Sequence, residues 1–206
     1  MPATVPTQPS PARRRLRRVL AASLVVAMLE ALPAAAPARA DLLGNGPLLL
    51  AGYSPDQDVN NRQRDIALLS VGWRWHFQGA DFLDNFFAKA KTDFSWSVEP
   101  TVGGIFGDAH AFEASVVPLA RFAPLGWTNV VPYFEGGIGL IFTTLQNYGL
   151  GSEVLFSDNA GIGVTFGSDD GLRWSVGYRF RHISHAKIFG HQNEGLNAHF
   201  LVIEVE

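Results

Sequence analysis

The chain has 206 residues, a length that fits one domain of ordinary size. It contains no cysteine, and its formal net charge is −3 with neutral histidines. Without cysteine, a disulfide-stapled scaffold is excluded, and the acidic balance argues against a nucleic-acid partner. Phe, Trp and Gly are abundant, with 15, 5 and 21 copies.

The first forty residues have the features of a secretory signal peptide. A run of arginines precedes an apolar stretch from Val19 to about Leu32, and the small residues that follow end in Ala38-Arg39-Ala40, which fits an A-x-A cleavage site. The apolar stretch is short for a transmembrane anchor and is interrupted by Glu30. We therefore expect residues 1–40 to be removed and residues 41–206 to form the mature domain. Its 10 basic and 18 acidic residues give a formal net charge of −8.

Apolar and polar residues alternate along eight stretches of the mature chain. Because neighbouring strand residues point to opposite faces, this pattern predicts eight β-strands. In chain order they lie at 47–53, 67–77, 94–103, 112–122, 134–142, 156–166, 173–184 and 201–205. The first is poorly patterned. The seventh is the clearest: its even positions from Trp174 to Phe180 are apolar, and its odd positions from Arg173 to Arg181 are polar or glycine.

The segments between these strands differ in length. Residues 167–171 predict a tight periplasmic turn, while residues 54–63, 143–152 and 185–195 predict longer extracellular loops. Residues 79–93 are long for a periplasmic turn, and their paired phenylalanines and lysines predict a short amphipathic helix at the membrane interface.

The contents of the two faces favour a membrane barrel over a soluble sandwich. The polar face carries many glycines, as a narrow eight-stranded interior requires, together with charges that could pair inside the barrel: Arg74, Arg121, Arg173, Arg179, Arg181, Glu99, Glu113 and Glu135. The apolar face carries large aromatic residues near strand ends. Pro100 and Pro118 on that face argue the other way, because each removes a ladder donor. The predicted fold class is all-β, an eight-stranded antiparallel transmembrane β-barrel of the outer membrane.

Two polar residues end the lipid-facing row of the seventh strand. His182 and Ser184 are two residues apart, so they share a face with Cα atoms about 6.6 Å apart. If both chain ends are periplasmic, the pair lies level with the outer leaflet. A serine beside a histidine is the minimum for an activated nucleophile. From spacing alone, the pair also fits the point where a strand leaves the membrane.

Three runs of the sequence resemble one known family, the lipid A 3-O-deacylase (PagL) family. They are Tyr178 to Ala186 followed by Asn193 to Asn197, Pro132 to Gly139, and Phe156 to Gly163. The resemblance extends from about Leu48 onward and is most specific at His182-Ile183-Ser184. It implies an outer-membrane serine esterase that hydrolyses the ester-linked 3-O-acyl chain of lipid A.

The resemblance also implies roles for individual residues. Ser184 would be the nucleophile and His182 its general base. The third catalytic residue, which orients the histidine, would be Asn197, where the family has an acid. Glu194 is the competing candidate for this role.

The resemblance also implies residues that would contact the developing oxyanion or the substrate. His185, where the family has Asn, would help to form the oxyanion hole, and Lys187 is a further oxyanion or substrate contact.

No cofactor or metal is expected, because the six histidines lack ligand spacing. The expected partners are lipid A or lipopolysaccharide and outer-membrane lipids, with no nucleic acid. A homodimer is compatible with the sequence. The alternative function is a non-catalytic small outer-membrane barrel, an adhesin or scaffold. A porin is disfavoured, because charged residues would fill the lumen.

Overall fold

The structure is a computed structural model that describes residues 45–58, 63–78, 81–127, 129–145, 149–167, 172–186, 188 and 195–205. The chain divides into two units, Met1–Ala38 and Arg39–Glu206, and every described residue belongs to the second. The predicted signal peptide lies outside the described residues and stays a prediction. So does the predicted turn at 167–171, apart from its first residue.

Eight antiparallel strands form a closed barrel in the described part of the chain. They are β1 (Gly46–Asp58), β2 (Gln63–Gln78), β3 (Thr92–Gly107), β4 (Ala111–Pro124), β5 (Val130–Thr143), β6 (Val154–Gly167), β7 (Arg173–Ser184) and β8 (Leu196–Val205). Each strand pairs with its neighbours in the sequence, and β1 pairs with β8, so the sheet has no free edge. The predicted fold class is confirmed.

Most strands extend beyond the stretches that alternation predicted. The predicted loop at 54–63 is wrong over its first five residues, because β1 continues to Asp58. The last strand begins at Leu196 rather than at residue 201. In that added segment the pattern is reversed, since Leu196 and Phe200 are buried while His199 is exposed. Apolar residues on the inward face therefore concealed the start of this strand.

The two faces of the barrel are inverted relative to those of a soluble protein. Outward side chains such as Val71 and Ile162 are 53% and 60% exposed, whereas inward Arg74 and Glu204 are fully buried. Alternation places the two kinds of residue on opposite faces, and ring closure puts the polar face inside.

Buried charges form an ionic network across the interior at the end of the barrel where β7 begins. Arg74 donates to Glu99 at 2.6 Å and to Glu204 at 2.8 Å, and Arg179 donates to Glu99 at 2.6 Å. Glu135 accepts from Arg74 and Arg121, both at 3.2 Å. The network joins six strands. It satisfies charges that would be costly to bury alone, and it confirms the predicted pairing of interior charges.

An apolar cluster fills the other end of the interior, where β7 ends. Its members include Ile66, Ile105, Ile141, Leu155, Ile183, Leu196 and Phe200. Ile183 and Leu196 are cross-strand partners on β7 and β8. The interior directly behind the end of β7 is therefore apolar and closely packed.

Prolines and glycines shape the β3–β4–β5 region. In the register of β4 with β5, Val116 pairs with Leu140 and Ala120 pairs with Gly136, on either side of Pro118, which has no backbone N–H to donate. A Cβ on Gly137 would lie 2.0 Å from the Pro118 carbonyl oxygen, and one on Gly139 would lie 2.3 Å from that of Val116. Glycine is thus required where these two backbones approach each other.

A single helix lies among the described residues, α1 (Asp81–Lys89), between β2 and β3. This confirms the predicted helix within residues 79–93. Phe87 packs against Phe94 and Phe122 on the outward face of the barrel, with ring centroids 5.0 and 5.3 Å away. No described helix is long and apolar enough to span a membrane.

Candidate active site

The outward row of β7 changes character along its length. Trp174, Val176 and Tyr178 are exposed, and the same parity then carries His182 and Ser184, both half-buried, at the end of the strand. Intervening Arg181 and Ile183 are buried inside the barrel. The structure therefore places His182 and Ser184 together on the outward face, as period-two alternation predicts.

Asn197 on β8 is the direct neighbour of His182. The two residues are cross-strand partners, and His182 Nδ1 lies 2.7 Å from Asn197 Oδ1. Because the Asn197 amide oxygen accepts this hydrogen bond, His182 Nδ1 carries the ring proton. The Nε2 atom then has a free lone pair that can accept a proton from another group. The buried Ser54 hydroxyl donates to the Asn197 backbone carbonyl, which ties this part of β8 to β1.

Gly195 holds the other edge of the imidazole. A Cβ at this position would lie 2.7 Å from Cε1 and 3.4 Å from Nε2 of His182. The backbone at Gly195 also has φ of +70°, a conformation that favours glycine. Gly195, immediately before β8, therefore packs directly against the His182 ring.

Asp158 is a site residue that sequence reasoning missed. It is the cross-strand partner of His182 on β6, and it is half-buried on the same outward face. His182 therefore lies between Asp158 and Asn197 in one cross-strand row. The signal was present in the sequence, since Asp158 has the parity of Phe156 and Ala160 and is a carboxylate within an apolar row.

A shallow groove of about 280 Å³ lies on the outward surface beside this row. Ile138, Asp158, Ala160 and Phe180 contribute to its lining. The small Ala160 side chain leaves space between larger neighbours. The groove is mostly apolar and leads toward the His182 row.

Of the other predicted site residues, His185 is described by the structure and does not lie on this surface. The His185 side chain is fully buried, while Ser184 is half-exposed. The chain turns immediately afterwards, with Ile188 N donating to the His185 carbonyl at 2.9 Å and Ala186 at φ +50°. Lys187 and Glu194 lie outside the described residues. The roles assigned to these three residues stay predictions.

Ser184 and His182 make no direct hydrogen bond to each other in the described part of the structure. Catalytic hydrogen bonds are often long without substrate and shorten when it binds. No cluster of potential ligands able to hold a metal ion occurs among the described residues. What the site offers chemically is a hydroxyl beside an oriented imidazole.

Comparisons with known proteins show what the chain is similar to. A family model described as lipid A 3-O-deacylase (PagL) matches residues 67–206. The crystal structure of the outer membrane enzyme PagL is 19% identical with a TM-score of 0.51, and the match covers 79% of this chain and 99% of that one. The crystal structure of Neisserial surface protein A (NspA) is 14% identical with a TM-score of 0.47, covering 78% and 94%. No curated protein matches the chain.

Proposed function

Because the chain belongs to the lipid A 3-O-deacylase (PagL) family, we propose that it hydrolyses the 3-O-acyl ester of lipid A with Ser184 and His182. The protein is a β-barrel of the outer membrane of a Gram-negative bacterium. The observation that carries the proposed mechanism is the 2.7 Å contact of His182 Nδ1 with Asn197 Oδ1. It leaves Nε2 of His182 as a base on the face that Ser184 shares.

The proposed reaction proceeds in two steps. Ser184 Oγ attacks the ester carbonyl carbon while His182 Nε2 takes the hydroxyl proton, and the sugar oxygen then leaves with that proton. A water molecule next loses a proton to His182 and attacks the acyl-serine, and His182 returns that proton to Ser184 Oγ as the fatty acid is released. Asn197 holds the imidazole in the required tautomer and orientation throughout.

The developing oxyanion needs hydrogen-bond donors. His185 and Lys187 are our candidates, as an oxyanion donor and a substrate contact. Glu194 remains the competitor of Asn197 for the third position of the triad. Asp158 joins them as a carboxylate that would stabilise the imidazolium formed during the reaction.

An outward-facing site suits a substrate that is itself a membrane lipid. Lateral diffusion brings the ester to the barrel wall, and the apolar groove beside Asp158 can receive an acyl chain. Polar groups on a lipid-facing surface are costly, which is a physical reason to expect a role for them.

The lengths of the connections support a position in the outer leaflet. Apart from connection 79–91, which contains α1, the end opposite Ser184 has short connections, 125–129 and 168–172. The end at Ser184 carries the long connections 144–153 and 185–195 besides the short ones 59–62 and 108–110. Outer-membrane barrels place their long loops outside the cell. The site would then lie at the level of the outer leaflet.

Mass spectrometry of lipid A from cells expressing the protein tests this proposal. We expect the wild type to remove one hydroxyacyl chain, and Ser184→Ala or His182→Ala to lower the rate by at least about a thousandfold. His110→Ala, in an exposed loop at the same end of the barrel, serves as the matched control and should keep full activity. A Ser184→Ala variant that still removes the chain would refute Ser184 as the nucleophile. A wild type that leaves lipid A unchanged would favour the adhesin or scaffold.

A further inference from the structure

A mixed apolar and cationic surface lies at the end of the barrel opposite Ser184. We call it the rim patch and define it as Phe86 and Lys89 of α1, Lys91 after the helix, and Leu125 and Trp127 after β4. All five side chains are exposed, with Phe86 at 66% and Trp127 at 57%. None of them contributes to the candidate active site.

The rim patch is held in place by the barrel. Phe87 stacks on Phe94 at 5.0 Å, and Phe94 and Phe122 contact each other at 5.3 Å. The Leu125 N–H donates to the Lys91 carbonyl at 2.9 Å, which joins the end of the helix segment to the turn after β4. The neighbouring Phe86 ring contacts Phe87 edge-on, with ring centroids 5.2 Å apart, and most of it is exposed.

Lys91 occupies an unfavourable backbone conformation. Its φ is +54°, in the left-handed region where a glycine would follow a helix at little cost. The chain nevertheless carries a lysine there, two residues after Lys89. Two exposed cations thus adjoin three exposed apolar side chains.

This combination matches the boundary between lipid headgroups and acyl chains. Aromatic rings prefer that boundary, and lysines there contact lipid phosphates. The aromatic contacts of Phe87 with Phe94 and Phe122 make the patch continuous with the outward apolar face of the barrel.

We propose that the rim patch is a binding site for anionic phospholipid of the inner leaflet. Phe86 and Trp127 enter the headgroup boundary, and Lys89 and Lys91 bind the phosphates. The choice of leaflet rests on the proposed function, because the patch lies at the end of the barrel opposite the outer-leaflet site.

A fluorescent probe at position 86 tests whether lipid covers the patch. The chain has no cysteine, so Phe86→Cys gives one labelling site for an environment-sensitive dye in the full barrel refolded into phosphatidylcholine vesicles. We expect blue-shifted emission that headgroup-labelled quencher lipids quench more strongly than chain-end-labelled ones. His110→Cys, in an exposed loop at the other end, is the control and should report water. Water-like emission at position 86 would overturn the proposal, and so would blue-shifted emission that lipid quenchers leave unchanged, which would indicate a second copy of the chain.

Lipid preference tests the role of the two lysines. Brominated phosphatidylglycerol should quench the probe at position 86 more effectively than brominated phosphatidylcholine, by about fivefold in relative affinity for each lysine. Lys89→Gln with Lys91→Gln should abolish this preference, and the double arginine variant should keep it. Lys91→Gly relieves the backbone strain but removes one of the two cations. The logarithm of the preference for phosphatidylglycerol over phosphatidylcholine should therefore fall by about half. Equal preference in all of these variants would overturn the electrostatic part of the proposal.

These readouts do not depend on catalysis. If the wild type fails to deacylate lipid A while the probe still reports anionic lipid, the proposed function fails and the rim patch stands as a lipid site. If deacylation is intact and the lipid preference is absent, the rim patch proposal fails alone.

Discussion

His182 is oriented by a neutral amide. Asn197 can fix the ring through its 2.7 Å contact, but it stabilises an imidazolium less than a carboxylate does, because charge-assisted hydrogen bonds are stronger. Asp158, across from His182 on β6, is a carboxylate in the same row. At the scale of residues, the proposed mechanism would therefore divide between two side chains the charge and the orientation that a triad normally takes from one acid.

Replacing Asn197 tests this division. We expect Asn197→Asp to raise the initial deacylation rate by about 3- to 10-fold, because one carboxylate would then orient the ring and stabilise its charge. Asn197→Leu should lower the rate by roughly 100-fold. Deacylation of purified lipid A in detergent micelles measures both. Full activity in Asn197→Leu would instead favour Glu194 as the third member of the triad.

Gly195 offers a second test, through packing alone. Gly195→Ala places a methyl group 2.7 Å from His182 Cε1, and the displaced ring should lower the rate by about 100-fold. Gly126→Ala is the matched control, since its φ is +85° and its Cβ would have no neighbour within 4 Å. Both variants carry left-handed backbone strain, so only loss of activity confined to Gly195→Ala supports the ring contact.

At the scale of elements, β4 and β5 depend on backbone contact that only glycine allows. Gly137→Ala would bring Cβ to 2.0 Å from the Pro118 carbonyl oxygen. This oxygen belongs to the backbone of a paired strand, so it cannot easily move away from the new methyl group. We expect the free energy of unfolding, measured with denaturant in micelles, to fall by about 1–3 kcal/mol.

Gly136→Ala controls for the loss of glycine itself. A Cβ on Gly136 would lie 3.4 Å from the Asn159 carbonyl oxygen and 3.9 Å from Phe134. The free energy of unfolding of this variant should therefore stay within about 0.5 kcal/mol of that of the wild type. Equal destabilisation of the two variants would show that close backbone approach is not the cause.

At the scale of the whole molecule, charge pairs across the interior tie distant strands together. Arg181 of β7 binds Glu113 of β4 through two hydrogen bonds of 2.9 and 2.8 Å, and Ser70 of β2 donates to the same carboxylate. Arg181 lies between Phe180 and His182, so it also anchors the strand that carries the proposed site.

A double-mutant cycle measures this pair. Arg181→Met leaves Glu113 buried and uncompensated, and should lower the free energy of unfolding by about 3–5 kcal/mol. Adding Glu113→Leu should restore most of the loss, because two apolar groups need no partner. Additive losses in the double variant would contradict the assignment of Arg181 and Glu113 as a coupled pair.

The sequence by itself determined most of what depends on local periodicity. It predicted eight strands, the helix after β2, and the outward position of His182 and Ser184, because side-chain direction repeats every two residues along a strand. The family motif identified the same residues.

Only the tertiary structure decided which side chains meet. Strand register brings Asp158 and Asn197 to either side of His182, although 24 and 15 residues separate them in the chain. It also decided that the interior near the site is apolar, which reversed the pattern of β8 and concealed its start at Leu196. The physical reason is that alternation fixes the face of a residue, whereas its neighbours depend on pairing between distant segments and on ring closure.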